Sequence, residues 1–314
     1  MKKVSDSQIM RTVLDYRQVT IDQISELLFN SLQVARRRVR ALEQRGFLGR
    51  QSMPLGKGRG RPESFLTAQP SGVQKLRAQL PDLPSDWTQS SLSSRLADHQ
   101  ISINSVRIQI EKLNEICADL SVQFLSSTSP FHADRTGKPH VRIALNNEYE
   151  QSVLIPDAAF MLRRQTDSKC LLFFLEIDMG TESLVASKSA SADLQKKILS
   201  YRFVLGRKLY RRFAETFDAH FSGFRTLVVA HTPERKEKIC RIVRERAPTD
   251  FIWVSDLQQI SSASVYASIW HRGGQLSGVE SILGSMAPKD FESPSCRTAR
   301  KPPDLRKDES KCRK

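Results

Sequence analysis

A chain of 314 residues with 39% hydrophobic and 26% charged content is long enough for one large globular domain or two ordinary ones. A formal net charge of +15 and a pI near 9.8 call for a polyanionic partner, nucleic acid ahead of an acidic membrane surface. No run of about 18 apolar residues exists to span a bilayer and no secretory pattern opens the chain, so a cytoplasmic protein without membrane insertion is expected. The cysteines Cys117, Cys170, Cys240, Cys296 and Cys312 lack C-x-x-C spacing and read as reduced core or tail residues.

The first predicted domain, residues 1–80, begins with helices. SQIMRTVLDYR repeats apolar residues at Ile9, Val13 and Leu14, and Thr20 is placed to cap a second helix with Ile21, Ile24, Leu27 and Leu28 inward. In SLQVARRRVRALEQRGFL, Ala35, Val39 and Leu42 mark one stripe and Gln33, Arg37, Arg40 and Gln44 the opposite one, with Gly46 as the stop. Arginine and glutamine make bidentate contacts to guanine and adenine edges, so the exposed stripe is the expected reader of a major groove. Two short extended pieces then flank the tip GKGRGRP, residues 56–62. This resembles the wing of a winged helix-turn-helix, with Lys57, Arg59 and Arg61 directed at phosphates or a narrow minor groove; a solvated basic loop is the plainer alternative.

Residues 81–91, PDLPSDWTQSS, have the composition of a linker. From Leu92 to Leu120 the spacing of Leu96, Ile103, Val106, Ile110, Leu113 and Cys117 predicts one long helix. Strands are expected in LSVQFLSS, QSVLIPDAAFML and CLLFFLEID, then a helix in DLQKKILSYRFVL, a strand in FRTLVVAHT, a helix in ERKEKICRIVRER and a strand in FIWVS. Residues 92–272 thus read as a sheet covered by helices, and 273–314 as a basic, disordered tail.

Glu176 and Asp178, two apart in a strand, point the same way at the edge of an apolar core, an arrangement that asks for a cation. Pro156 and Asp157 end the preceding predicted strand, and PD followed by E-x-D on the next strand resembles the PD-(D/E)XK nuclease layout. That resemblance implies that Asp157, Glu176 and Asp178 hold Mg²⁺ or Mn²⁺ and act in catalysis. Asp178 stands where the motif has lysine. On the helix after it, Leu194, Ile198, Tyr201 and Leu205 mark the inner face; Lys197 flanks that face and Lys196 lies nearly opposite, so Lys197 is the better substitute.

The strand IPDAAF, the segment FFLEIDMGTE, the lysine helix ending in SY and the N-terminal SQIMRTVLDYR to GRGRPESFL together resemble the replication-relaxation family, and within it the MOBC class of conjugative relaxases. The resemblance implies an N-terminal all-α winged helix-turn-helix followed by a restriction-endonuclease-like, three-layer α/β domain. It further implies metal-dependent nicking of double-stranded DNA at an origin of transfer or replication, with accessory relaxosome or coupling proteins as partners. A histidine-cluster relaxase is not expected, since His132 and His140 do not form an H-x-H pair, and there is no P-loop. His99 and His231 read as packing or surface residues, and Glu111 and Glu115 as solvated charge more readily than as a further metal ligand. The rival reading is a DNA-binding regulator whose second domain dimerises or binds a partner; the missing E-x-K lysine favours it.

Overall fold

The computed structural model describes residues 4–52, 64–80, 96–146, 151–180 and 188–287. Reciprocal capping bonds between Ser5 and Gln8 start α1 (Asp6–Tyr16), and the same exchange between Thr20 and Gln23 starts α2 (Ile21–Leu28). α3 (Leu32–Gln44) turns Ala35, Val39 and Leu42 inward. β1 (Leu48–Ser52) pairs antiparallel with β2 (Ser64–Ala68), and Leu66 of β2 also exchanges backbone hydrogen bonds with Val19 between α1 and α2. α4 (Pro70–Arg77) completes a core that includes Ile9, Val13, Ile24, Val39, Leu66 and Leu76. The tip with Lys57, Arg59 and Arg61, and the linker 81–91, lie outside the described residues.

α5 (Ala97–Glu111) is buried on two sides. Ile103, Val106 and Ile110 pack on the main sheet, while Ile108 joins the core of the first helices. Asn104 donates to the carbonyls of Tyr16 and Gln18 at 3.2 and 2.7 Å, and the Gln23 amide donates to Ile101 O and Ser105 Oγ, both at 2.9 Å. Arg107, 4% exposed, sits at the centre of this seam. Its guanidinium donates to Asp15 Oδ2 and Glu111 Oε1 at 2.7 Å each and lies 4.0 Å from the centroid of the Tyr16 ring. Burial works against the Asp15 charge, but Arg107 outweighs it and holds this carboxyl below the usual range.

After α6 (Leu113–Ile116) come β3 (Leu120–Ser126), β4 (Ile143–Asn146), β5 (Gln151–Leu154), β6 (Ala158–Arg164), β7 (Cys170–Asp178), α7 (Lys188–Gly206), α8 (Phe213–Phe217), β8 (Phe224–Ala230), α9 (Pro233–Glu245), β9 (Ile252–Asp256), α10 (Leu257–Ala263) and β10 (His271–Arg272). Among the described residues β4 and β5 pair only with each other, and the main sheet has the order β10-β9-β8-β7-β6-β3. β7, β8 and β9 run parallel and the other neighbours antiparallel, so the chain is of mixed α and β class. Alternation along β7 divides the core: Phe173, Leu175 and Ile177 pack with α5 residues, and Leu172 and Phe174 with Tyr201 and Val204 of α7. α9 covers the α7 side farther along through Ile239 and Val243. Glu176 and Asp178 therefore fall on the α7 side.

Several expected boundaries move. QSVLIPDAAFML is two strands instead of one, because Pro156 has no N–H to continue a ladder; β5 leaves for its own hairpin and Asp157 precedes β6 instead of ending a strand. The helix expected to run to Leu120 stops as α5 at Glu111, with only the short α6 beyond it, and Leu96 is 51% exposed instead of inward. α10 and β10 have no distinct pattern in the sequence. Residues 273–287, assigned from sequence to the tail, are packed: Ile282, Leu283 and Met286 are buried in the main core. Cys117 and Cys240 are buried free thiols, as expected.

Candidate active site and DNA-reading face

The acids stand at the carboxyl end of β7, the edge at which open α/β sheets usually present ligands. Asp157 sits one step beyond the Ala158–Leu175 pair, opposite Glu176 in the register. Its Oδ2 accepts the Ile177 N–H at 2.7 Å and lies 3.2 Å from Nε2 of His99, which is also 3.1 Å from the Ile177 carbonyl oxygen. Glu176 is 5% exposed. Lys197 donates to its Oε2 at 2.5 Å and the Tyr201 hydroxyl to its Oε1 at 2.7 Å. One turn of α7 separates these two donors, which is why both reach one carboxylate. Asp178 is gripped by Arg235 of α9, through Nε at 3.0 Å and Nη2 at 2.9 Å, and its Oδ1 accepts the Gly180 N–H at 2.9 Å. Gly180 has a φ of +61°, the left-handed conformation that lets the chain leave the strand there at no Cβ cost.

The structure therefore brings Asp157, Glu176 and Lys197 together, while Lys196 is exposed and forms no ion pair with the acids among the described residues. Asp178 is on the same edge, with both carboxylate oxygens engaged by Arg235. Neither His99 nor Arg235 stood out in the sequence. A single histidine early in a helix, and an arginine in the first turn of a strongly basic helix, both have the local pattern of surface residues; only the tertiary fold joins them to the acids. Glu111 is taken by Arg107 and Tyr16 in the seam, and Glu115 is exposed.

Burial raises the Glu176 pKa to about 7, with Lys197 opposing the rise and Asp157 adding to it. Burial also works against the Lys197 ammonium, yet Glu176 and Asp157 outweigh it and hold its pKa above the ordinary lysine value. His99 follows the same logic: burial disfavours its cation, but Asp157 prevails and its pKa is raised. Folded Glu176 keeps its proton where the unfolded chain has lost it, so this group's contribution to stability falls as pH rises from 4.5 through about 7. Denaturant unfolding of the wild type and Glu176→Gln should show the wild type losing ground to the variant across that window, by about 1.4 kcal/mol for each tenfold difference in proton affinity between the folded and unfolded carboxyl. A constant difference between the two proteins would show that the carboxyl titrates normally.

The donor chemistry can be matched against a divalent cation. Among the described residues, no group of three His, Cys, Asp or Glu side chains is arranged to hold a metal ion. Each carboxylate oxygen nevertheless has two lone pairs, and Mg²⁺ needs only one or two carboxylates when water and phosphate complete its shell. Asp157 and Glu176 fit that smaller demand; Asp178, engaged by Arg235, departs from the expected set of three. Glu176 and Asp178 themselves line a cavity of about 200 Å³, together with residues of β8, β9, α7 and α9.

On α3, Gln33, Arg37, Arg40 and Gln44 are all exposed. Arg38 and Arg45 are tied to Asp6, and Arg50 to Glu43, whereas Arg37 and Arg40 form no ion pair among the described residues. The outward stripe thus keeps its charge available. Among the described residues, no helix is long and apolar enough to cross a membrane.

A family model described as replication-relaxation matches residues 10–218, about two thirds of the chain. The match runs from within α1 to the end of α8, includes Asp157, Glu176, Asp178, Lys197 and Tyr201, and ends before Arg235. No curated protein and no solved structure matches the chain.

Proposed function

Because the chain belongs to the replication-relaxation family, we propose that it is a metal-dependent, site-specific DNA-nicking enzyme, of the MOBC relaxase kind, acting at a plasmid or mobile-element origin in mobilisation or replication. The observation that carries this reading is the contact between Lys197 and the buried Glu176, which supplies from α7 the cation that the E-x-D sequence lacks. The antiparallel β6 beside parallel β7, β8 and β9 supports a restriction-endonuclease-like domain, and α1–α3 with the β1–β2 hairpin and the Val19–Leu66 bridge supports a winged helix.

In this reading α3 finds the site in duplex DNA and the acid edge cuts. Asp157 and Glu176 would hold a Mg²⁺ or Mn²⁺ ion, which when bound supplies Lewis-acid polarisation of the scissile phosphate. His99 fixes the Asp157 carboxylate through Oδ2, and Tyr201 fixes Glu176 through Oε1. Lys197 places its ammonium where negative charge grows on the phosphate. Appearance of nicked circles from a supercoiled plasmid carrying the cognate origin, dependent on Mg²⁺ or Mn²⁺, tests the proposal.

Arg37→Ala combined with Arg40→Ala should weaken binding to origin DNA by tenfold or more, at about 1–3 kcal/mol per lost base contact, without lowering the melting temperature. A gel-shift titration at fixed salt that gives wild-type affinity would remove α3 as the reader. The ion pair between Asp178 and Arg235, and the lack of a three-ligand group among the described residues, favour a second reading: a DNA-binding regulator with a nuclease-like domain used for dimerisation or partner binding. Origin footprints in two symmetric halves, with no strand break under any divalent ion, would select it.

A further inference from the structure

Arg38, Arg45, Arg50, Arg164 and Arg235 are each answered by a carboxylate. The carboxyl end of α7 is built differently. Arg207, Lys208, Arg211 and Arg212 are exposed there, at the end of α7 and along the single helical turn Leu209–Arg212 that follows it. Arg142, just before β4, is close enough for its charge to act on Arg212. Among the described residues none of these five cations forms an ion pair. Neutral groups hold two of them in place instead. The Arg212 guanidinium lies 5.2 Å from the centroid of the Phe213 ring and donates through Nη2 to the His140 carbonyl at 3.3 Å, and that of Arg207 lies 5.8 Å from the centroid of the Phe203 ring. Burial and the Arg142 charge together push the Arg212 pKa below the ordinary arginine value. Cations gathered in this way repel one another, and an external polyanion is what relieves the repulsion.

α7 joins this face to the acids. Lys197 and Arg207 lie on the same helix, about 15 Å apart along its axis at 1.5 Å per residue. That distance is the length of about four to five base pairs of duplex. We infer that Arg142, Arg207, Lys208, Arg211 and Arg212 form a second DNA-binding face, which holds the phosphate backbone of duplex DNA to one side of the acid edge without reading its sequence. The inference rests on the DNA-nicking reading for placing the duplex at the acids, and adds to it a contact that α3 does not make. Four of the five cations are arginines, whose planar fork matches the oxygens of a phosphate. An anionic membrane would attract the same charges, but basic segments that bind bilayers carry apolar side chains that insert among the lipids. Here the aromatic residues of the segment, Tyr210 and Phe213, are buried in the core.

The test follows the affinity of the full chain for a short duplex of arbitrary sequence, in EDTA, by fluorescence anisotropy across a range of salt. Arg207→Gln combined with Arg211→Gln should melt no lower than the wild type, because both side chains are exposed and sit among like charges. It should lower the slope of log K against log[salt] by about 1.8, at about 0.9 for each lost phosphate contact. Lys169→Gln combined with Arg272→Gln removes the same charge from the β6–β7 turn and the edge strand β10, and should change the slope by less than half as much. A slope as steep as that of the wild type in the first variant, an equal fall in both variants, or a loss of binding to phosphatidylglycerol vesicles with DNA binding intact would each overturn the assignment. The titration requires no cleavage, so a shallower slope in a protein that never nicks would keep this face and remove the nuclease, and nicking with an unchanged slope would do the reverse.

Discussion

Arg107→Ala is expected to destabilise the protein by about 3–5 kcal/mol, the usual cost of removing one partner from a buried charge cluster. The guanidinium is 4% exposed and satisfies Asp15 and Glu111 at once, and it also stacks over Tyr16. Its loss leaves two carboxylates in a seam with no other cation bonded to them among the described residues. Arg107→Lys should recover little, since one ammonium cannot serve two carboxylates and a ring in the planar arrangement that the guanidinium uses. Chemical denaturation reads the effect directly; a loss under about 1 kcal/mol would mean that the seam between the first helices and α5 is not fastened there.

Lys197→Ala should slow single-turnover nicking by roughly two to three orders of magnitude, the range for losing one electrostatic contact to a developing charge. Lys196→Ala, an exposed change without a partner among the acids, should stay within about twofold of the wild type. The two residues are neighbours of the same type, so the comparison isolates position from charge. Equal effects would show that α7 contributes only general attraction for DNA, and a larger effect at Lys196 would point to a different helix orientation during the reaction.

Much of this arrangement could be read from the residues. The apolar stripes of α1 to α3 and the two-residue spacing of Glu176 and Asp178 are local patterns, and each fixes which way its side chains face before any tertiary contact forms. Lys197 was legible for the same reason, as the lysine flanking an inward stripe. Other features were not. Pro156 breaks the ladder between β5 and β6, but an apolar run on both sides masks that break. The pairing of Asp178 with Arg235 joins the ends of β7 and α9, and no spacing rule connects them. α5 reads as a helix with one inner face, yet it is buried on two, and its polar second face, Asn104 and Arg107, becomes interpretable only when the carbonyls of Tyr16 and Gln18 and the Asp15 carboxylate are seen against it. Residues 273–287 were lost from the domain because short irregular segments carry no periodicity even when Ile282, Leu283 and Met286 are in the core.

Relaxation of a supercoiled plasmid bearing the cognate origin, by the wild type and by Glu176→Gln, with Mg²⁺, with Mn²⁺ and with EDTA, tests the central claim most directly. Glutamine keeps the shape of residue 176 and its hydrogen bond with Tyr201 but removes the charge that faces Lys197 and Asp157. The expected result is nicked circles from the wild type with either metal and none with EDTA, while Glu176→Gln binds the same DNA in a gel shift and leaves it supercoiled. Nicking by Glu176→Gln at the wild-type rate, or a wild type that binds the origin and never breaks a strand, would contradict the assignment of this carboxylate edge as a nuclease site.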